Sequence, residues 1–273
     1  MPCSPRFFAR LRACIRSAAV AAILLAGCGA PAQPPVVATP PATVLYIGSS
    51  FFYYNNGIDG IVARLARSAE PRQKVAGTLV TIGGAGFDWH DVESYFRPNA
   101  VARYTIDSRN VLHFNQRTPL FDAAVMMDCS QCPLHPQLRD DFFAYAKKNA
   151  EIVRRHGARP VFFMSWAYED QPDMTEPLAE AYGRIGRDNA AQVVPAGLAF
   201  ARSRQAHPDI GLYDADKRHP SPAGSYLAAA TLYATLFGRS PVGLTDTEGL
   251  PPATALALQQ VAWDTVQAYA ASP

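Results

Sequence analysis

Three residues of this chain have types and spacing that could run acyl transfer: Ser50, Asp216 and His219. Asp216 and His219 lie three positions apart, about one turn, so their side chains can face the same way. A carboxylate there can hold one ring nitrogen of the imidazole and leave the other free to deprotonate a serine hydroxyl. Ser50 directly follows an apolar run and precedes a stretch with helical spacing, which places its hydroxyl at the mouth of a sheet. The order is Ser…Asp…His with acid and base close together, and the chain has no Gly-x-Ser-x-Gly elbow. The arrangement therefore differs from that of the α/β-hydrolases.

Such residues need a scaffold, and the patterning predicts one. Short β-rich runs at 43–47, 75–82, 122–128, 159–166 and 191–194 alternate with helical stretches at 57–69, 138–156 and 176–190. Ser221 as N-cap and Pro222 at the first turn open a helix to Phe237, which Gly238 ends, and a final helix spans about 253–270. Near-continuously apolar strands alternating with helices predict a parallel sheet covered on both faces, in one α/β domain over 43–273. Residues 87–121 predict a short helix and a long insertion. In open parallel sheets ligands bind at the carboxyl ends of the strands. That singles out Gly48-Ser49-Ser50, Gly83 to Gly86, Cys129 to Cys132 and the loop Asp214 to Ser221.

Three blocks at those strand ends resemble the SGNH (GDSL-like) hydrolases, in particular a bacterial branch whose first block reads like Ile-Gly-Asn-Ser-Phe-Thr. Here the blocks are Ile47-Gly48-Ser49-Ser50-Phe51-Phe52, then Gly83-Gly84-Ala85-Gly86-Phe87-Asp88-Trp89-His90, then Asp216-Lys217-Arg218-His219-Pro220-Ser221. They fall in family order across about residues 43–240. The resemblance implies a flavodoxin-like three-layer α/β/α fold with a mostly parallel sheet of about five strands. It implies Ser50 as nucleophile, His219 as general base and Asp216 as its orienting acid. It also implies an oxyanion hole built from the Ser50 and Gly84 backbone N–H groups and a side-chain amide. The family's usual Gly-x-Asn-Asp block is replaced by Cys129-Ser130-Gln131-Cys132, and strand register puts Gln131 where the Asn amide would be.

Other residues have competing readings. His90 can touch substrate or serve structure, and Trp166 can wall the site or pack. The aromatic run Phe51 to Tyr54 reads as core rather than as a binding platform. Cys129 and Cys132 can form a disulfide that fixes the third block, remain free thiols, or serve a redox or zinc site. An oxidising compartment favours the first. No second Cys pair, His-Glu-x-x-His, P-loop or dinucleotide fingerprint is present, so no metal or cofactor is expected.

Composition completes the reading. Of 273 residues 49% are apolar and 18% charged, which excludes a disordered chain. The formal charge is +2. Arg6, Arg10, Arg12 and Arg16 precede an apolar run at 17–25, too short to span a bilayer and fitting a signal peptide over 1–27. Leu25-Ala26-Gly27-Cys28 resembles a bacterial lipobox, which implies cleavage before Cys28 and its lipidation. Removing the four arginines leaves 21 basic against 23 acidic residues, a net −2, so nucleic acid loses its electrostatic support as a partner. Residues 28–42 then read as a Pro-rich tether.

The resulting expectation is a lipid-anchored enzyme of the cell envelope, on the outer membrane or a periplasmic face. It would hydrolyse carboxylic esters, with acetylated carbohydrate as the substrate class. The alternatives are an O-acyltransferase acting on envelope glycan and a non-catalytic glycan-binding surface lipoprotein.

Overall fold

The structure is a computed structural model that describes residues 39–101, 104–114 and 117–271. The signal peptide, Cys28 and most of the tether lie outside the described residues. In chain order the elements are β1 (Thr43–Gly48), α1 (Ser50–Tyr53), α2 (Ile58–Ser68), β2 (Ala76–Thr81), α3 (Val92–Tyr95), β3 (Tyr104–Ile106) and β4 (Leu112–Phe114). They continue with β5 (Ala123–Met126), α4 (Arg139–Arg155), β6 (Arg159–Phe163), α5 (Thr175–Asp188), β7 (Gln192–Val194), α6 (Ala196–Ala206), α7 (Pro222–Phe237) and α8 (Pro252–Ala270).

Five parallel strands form the main sheet in the order β2-β1-β5-β6-β7. The chain leaves β1 toward β2 on one side and returns to place β5 on the other. The topological switch point therefore lies between the carboxyl ends of β1 and β5, where a crevice must open. The central strands are apolar throughout because both faces are covered: Val44, Leu45, Tyr46 and all of Ala123 to Met126 are completely buried. Helices α2 and α7 cover one face, with α8 packed over α7, and α4 and α5 cover the other, giving three layers. Helix α7 is buried on nearly every side, which explains its run of Ala, Leu and Tyr without amphipathic alternation.

Three departures from the sequence expectation have physical causes. Helix α6 has no counterpart in the patterning, because its buried face is made of Ala196, Gly197, Ala199 and Ser203 around one large residue, Phe200. Small residues give little periodic signal, yet they are required: a Cβ at Gly197 would sit 2.3 Å from the Ser165 carbonyl oxygen. The insertion holds a two-stranded antiparallel hairpin, β3–β4, beside the short α3. The aromatic run is split: Phe51 and Phe52 are core, whereas Tyr53 is 44% exposed and Tyr54 half-buried. No helix among the described residues is long and apolar enough to cross a membrane.

Candidate active site

Strand β1 delivers Gly48-Ser49-Ser50 to the switch point, and Ser50 is the first residue of α1. A Cβ at Gly48 would lie 2.9 Å from the Phe52 ring, so the absent side chain lets α1 fold back tightly over the strand end. The loop before α7 supplies the partners. Its ends are paired: Asp214 N–H donates to the His219 carbonyl at 2.8 Å and Ser221 N–H to the Leu212 carbonyl at 3.0 Å. Lys217 takes a left-handed φ of 63° at the turn.

Within that turn, Asp216 Oδ1 accepts the backbone N–H groups of Arg218 at 3.0 Å and His219 at 2.9 Å, while Oδ2 accepts from His219 Nδ1. The opposite ring nitrogen, Nε2, lies 2.8 Å from Ser50 Oγ. The three side chains thus form a continuous hydrogen-bonded line, with Ser50 and His219 169 positions apart in sequence. The bond from His219, supported by the two backbone N–H groups, holds the Asp216 carboxyl down at about 2 against the opposing effect of burial. Asp216 therefore stays ionised at neutral pH and can fix the tautomer that leaves Nε2 as proton acceptor. The side chains of His219 and Asp216 are 24% and 46% exposed, so the line opens directly to solvent.

The remaining residues singled out by sequence take distinct places. Gly84 sits at an exposed turn with φ 74°, where Ala85 N–H closes back on the Ile82 carbonyl at 3.1 Å, and a Cβ there would meet nothing within 4 Å. Gln131 is exposed, its backbone carbonyl accepting from Leu134 and His135. His90 is buried and both ring nitrogens are engaged, Nε2 with the Gly48 carbonyl at 3.2 Å and Nδ1 with Tyr95 Oη at 3.1 Å. Burial lowers its pKa, and its contact is with the backbone beneath Ser50 rather than with the mouth.

Trp166 takes the packing alternative. It is completely buried between Phe51, at 4.4 Å between ring centroids, and Phe200, at 4.2 Å, and its indole N–H donates to the Arg218 carbonyl at 3.0 Å. It shapes the His219 loop from below. Cys129 and Cys132 form a disulfide. With both sulfurs bonded to each other, their grouping with Asp128 does not offer thiolates to a metal.

Sequence reasoning passed over Asp128. It stands one residue before the loop taken as the third block, at the end of an apolar run, and a charge there is itself the signal. Its Oδ1 accepts Phe87 N–H at 3.0 Å and Cys129 N–H at 2.6 Å, tying the second and third blocks together. A Cβ at Gly86 would lie 2.9 Å from that oxygen, so a glycine is what permits the approach. Ser130 Oγ and Tyr168 Oη, 2.8 Å apart, join the third block to the segment after β6.

No protein-family model matches the sequence, and no curated protein sequence does. Solved structures match the fold. A DUF4886 family protein from Bacteroides uniformis is similar with a TM-score of 0.59 at 17% identity, over 82% of this chain and 94% of that one. A Slackia heliotrinireducens protein assigned to the SGNH hydrolases is similar at 0.53 and 25% identity, over 71% and 98%. An acetyl xylan esterase is similar at 0.51 and 13% identity, over 70% and 98%. These likenesses agree with the three-layer α/β/α architecture and its five-stranded parallel sheet.

Proposed function

We propose that this chain is a serine esterase of the SGNH type that removes acyl groups, most simply acetyl, from carbohydrate. The observation that carries the reading is the line from Asp216 through His219 to Ser50 Oγ at the switch point of the sheet. The structural likeness to the Slackia SGNH hydrolase supports it.

In this mechanism His219 Nε2 takes the Ser50 proton as Oγ attacks the ester carbonyl. Asp216 stabilises the imidazolium that forms. Negative charge gathers on the former carbonyl oxygen, and the Ser50 N–H, the Gly84 N–H and the Gln131 side-chain amide are assigned as its donors. One such donor is typically worth about 3–4 kcal/mol in the transition state. Collapse breaks the bond from the acyl carbon to the sugar oxygen, which takes the proton from His219 and leaves as the hydroxyl. Water, deprotonated by the same nitrogen, then attacks the acyl-enzyme and releases the acid. The solvent-open position of Asp216 and His219 suits a bulky polar substrate better than a buried acyl chain. Lipidation at Cys28 and attachment to an envelope membrane belong to the same proposal, on the strength of the Leu25–Cys28 block.

The test is hydrolysis of p-nitrophenyl acetate and of acetylated oligosaccharides by the wild type, Ser50→Ala and His219→Ala. Both variants are expected to lose at least about 10³-fold in kcat. Equal rates in all three would overturn the assignment. Adding an unacetylated sugar separates two outcomes: acetate in solution supports the hydrolase, while acetyl on the acceptor identifies a transferase.

A further inference from the structure

An imidazole that works as a general base must be held in place and orientation, and the bond to Asp216 fixes one ring nitrogen but not the plane of the ring. Asp216 is nearly half exposed, and exposed charged pairs are screened by water. Three further contacts converge on His219 from the segment that directly follows Ser50. The Tyr54 ring lies flat on the imidazole, with centroids 4.1 Å apart and planes within 8°. The Phe51 ring meets it edge-on at 5.6 Å and 81°. The third contact acts through the backbone: Asn55 Nδ2 donates to the carbonyl of Pro220, the residue after His219, at 2.8 Å, and to Ser225 Oγ at 2.7 Å.

Those bonds depend on an unusual backbone. Asn55 has φ 52° and Asn56 φ 68°, the left-handed region that asparagine tolerates better than most residues. The reversal at this point accompanies the return of the Asn55 amide to the last loop, across 165 and 170 positions of sequence.

We propose that Tyr54 and Asn55 are positioning residues for His219: Asn55 fixes the backbone that carries the imidazole, and the face of Tyr54 holds the ring plane so that Nε2 stays on Ser50 Oγ. The inference rests on the reading of Ser50 and His219 as nucleophile and base. When the serine proton is transferred, the ring becomes a cation lying on an aromatic face, an arrangement that favours the charged state. The contact is thus stronger in the transition state than in the resting enzyme, which is the condition for an effect on kcat rather than on binding.

The experiment uses the full chain with p-nitrophenyl acetate and resolves kcat from KM. Sites are counted by the end-point of a fluorophosphonate titration, so that kcat refers only to folded, reactive protein. Tyr54→Leu keeps apolar bulk and loses the flat face. It is expected to lower kcat by roughly 10- to 100-fold with KM changed less than about threefold. Tyr54→Phe is expected to restore kcat to within about threefold of wild type. Asn55→Gly retains access to positive φ while removing the donor, and Asn55→Asp keeps the shape without the N–H. Both are expected to fall by a similar factor. A wild-type kcat in Tyr54→Leu, a Tyr54→Phe as slow as Tyr54→Leu, or a loss confined to KM would overturn the role of Tyr54. Wild-type kcat in Asn55→Gly would overturn that of Asn55. Full activity in Ser50→Ala would overturn the catalytic reading itself and this inference with it, whereas an inactive Ser50→Ala beside an unaffected Tyr54→Leu would overturn this inference alone.

Discussion

Asp128 is the clearest case of a single side chain whose surroundings change its chemistry. It is 1% exposed, and burial pushes its carboxyl up to about 7, with the two backbone N–H bonds pulling the other way and Asp88 and Asp141 adding repulsion. A carboxyl raised in the folded state binds its proton more tightly there than in the unfolded chain, where the ordinary value is about 3.9. Its contribution to stability is therefore fully present below that unfolded value and is lost as pH rises through about 7. Asp128→Asn retains an acceptor oxygen without the titration. Thermal melts between about pH 4 and 7 are expected to show a steeper decline in Tm for wild type than for Asp128→Asn. Parallel profiles would sink the idea. The residue was legible as a charge ending an apolar strand, but not its burial, which depends on the second block closing over it through Gly86.

At the scale of elements, the start of α7 decides where His219 sits. Ser221 caps the helix by accepting Gly224 N–H at 3.1 Å, and its hydroxyl donates to the Gly211 carbonyl at 2.8 Å. Both the cap and Pro222 were readable, since their preferences are local. The closeness of packing was not. A Cβ at Gly224 would lie 2.2 Å from the Leu212 carbonyl oxygen, so Gly224→Ala must push the first helical turn off the loop that holds Asp216 and His219. A loss of about 1–3 kcal/mol in denaturant unfolding is expected, with a fall in esterase activity beyond the folded fraction. Gly211→Ala, which would meet nothing within 4 Å, is the control and is expected to change stability little. An equal effect of the two substitutions would show that close approach at Gly224 is not the cause.

Across the whole molecule the two ends of the sheet have different work. The described chain enters at the amino ends of the strands, where Asp122 Oδ2 accepts the N–H groups of Ala42 at 2.8 Å and Thr43 at 2.9 Å. Ser50 emerges at the carboxyl end of the same strand, about 20 Å away for six residues of β1. Residue 42 and the catalytic mouth therefore lie at opposite ends of β1. Cys28→Ala, expressed in a bacterial host and fractionated, is therefore expected to move the protein from the membrane to the soluble fraction with its specific activity on p-nitrophenyl acetate unchanged. Continued full membrane association would remove the lipid anchor from the proposal.

Sequence by itself determined the alternation of buried strands and helices, because burial on both faces forces near-continuous apolar runs and helices impose their own period. It also singled out Ser50, Asp216 and His219, because strand ends and a one-turn Asp-x-x-His spacing are properties of short segments. Only the tertiary structure decided that Trp166 packs between Phe51 and Phe200, that His90 lies against the Gly48 carbonyl, that Tyr54 lies on the imidazole, and that Asn55 reaches Pro220. Those facts depend on which surfaces meet when residues up to 165 positions apart are brought together. A chain's local periodicities do not encode that distance, and small-residue faces such as that of α6, which make the close approaches, leave almost no periodic trace.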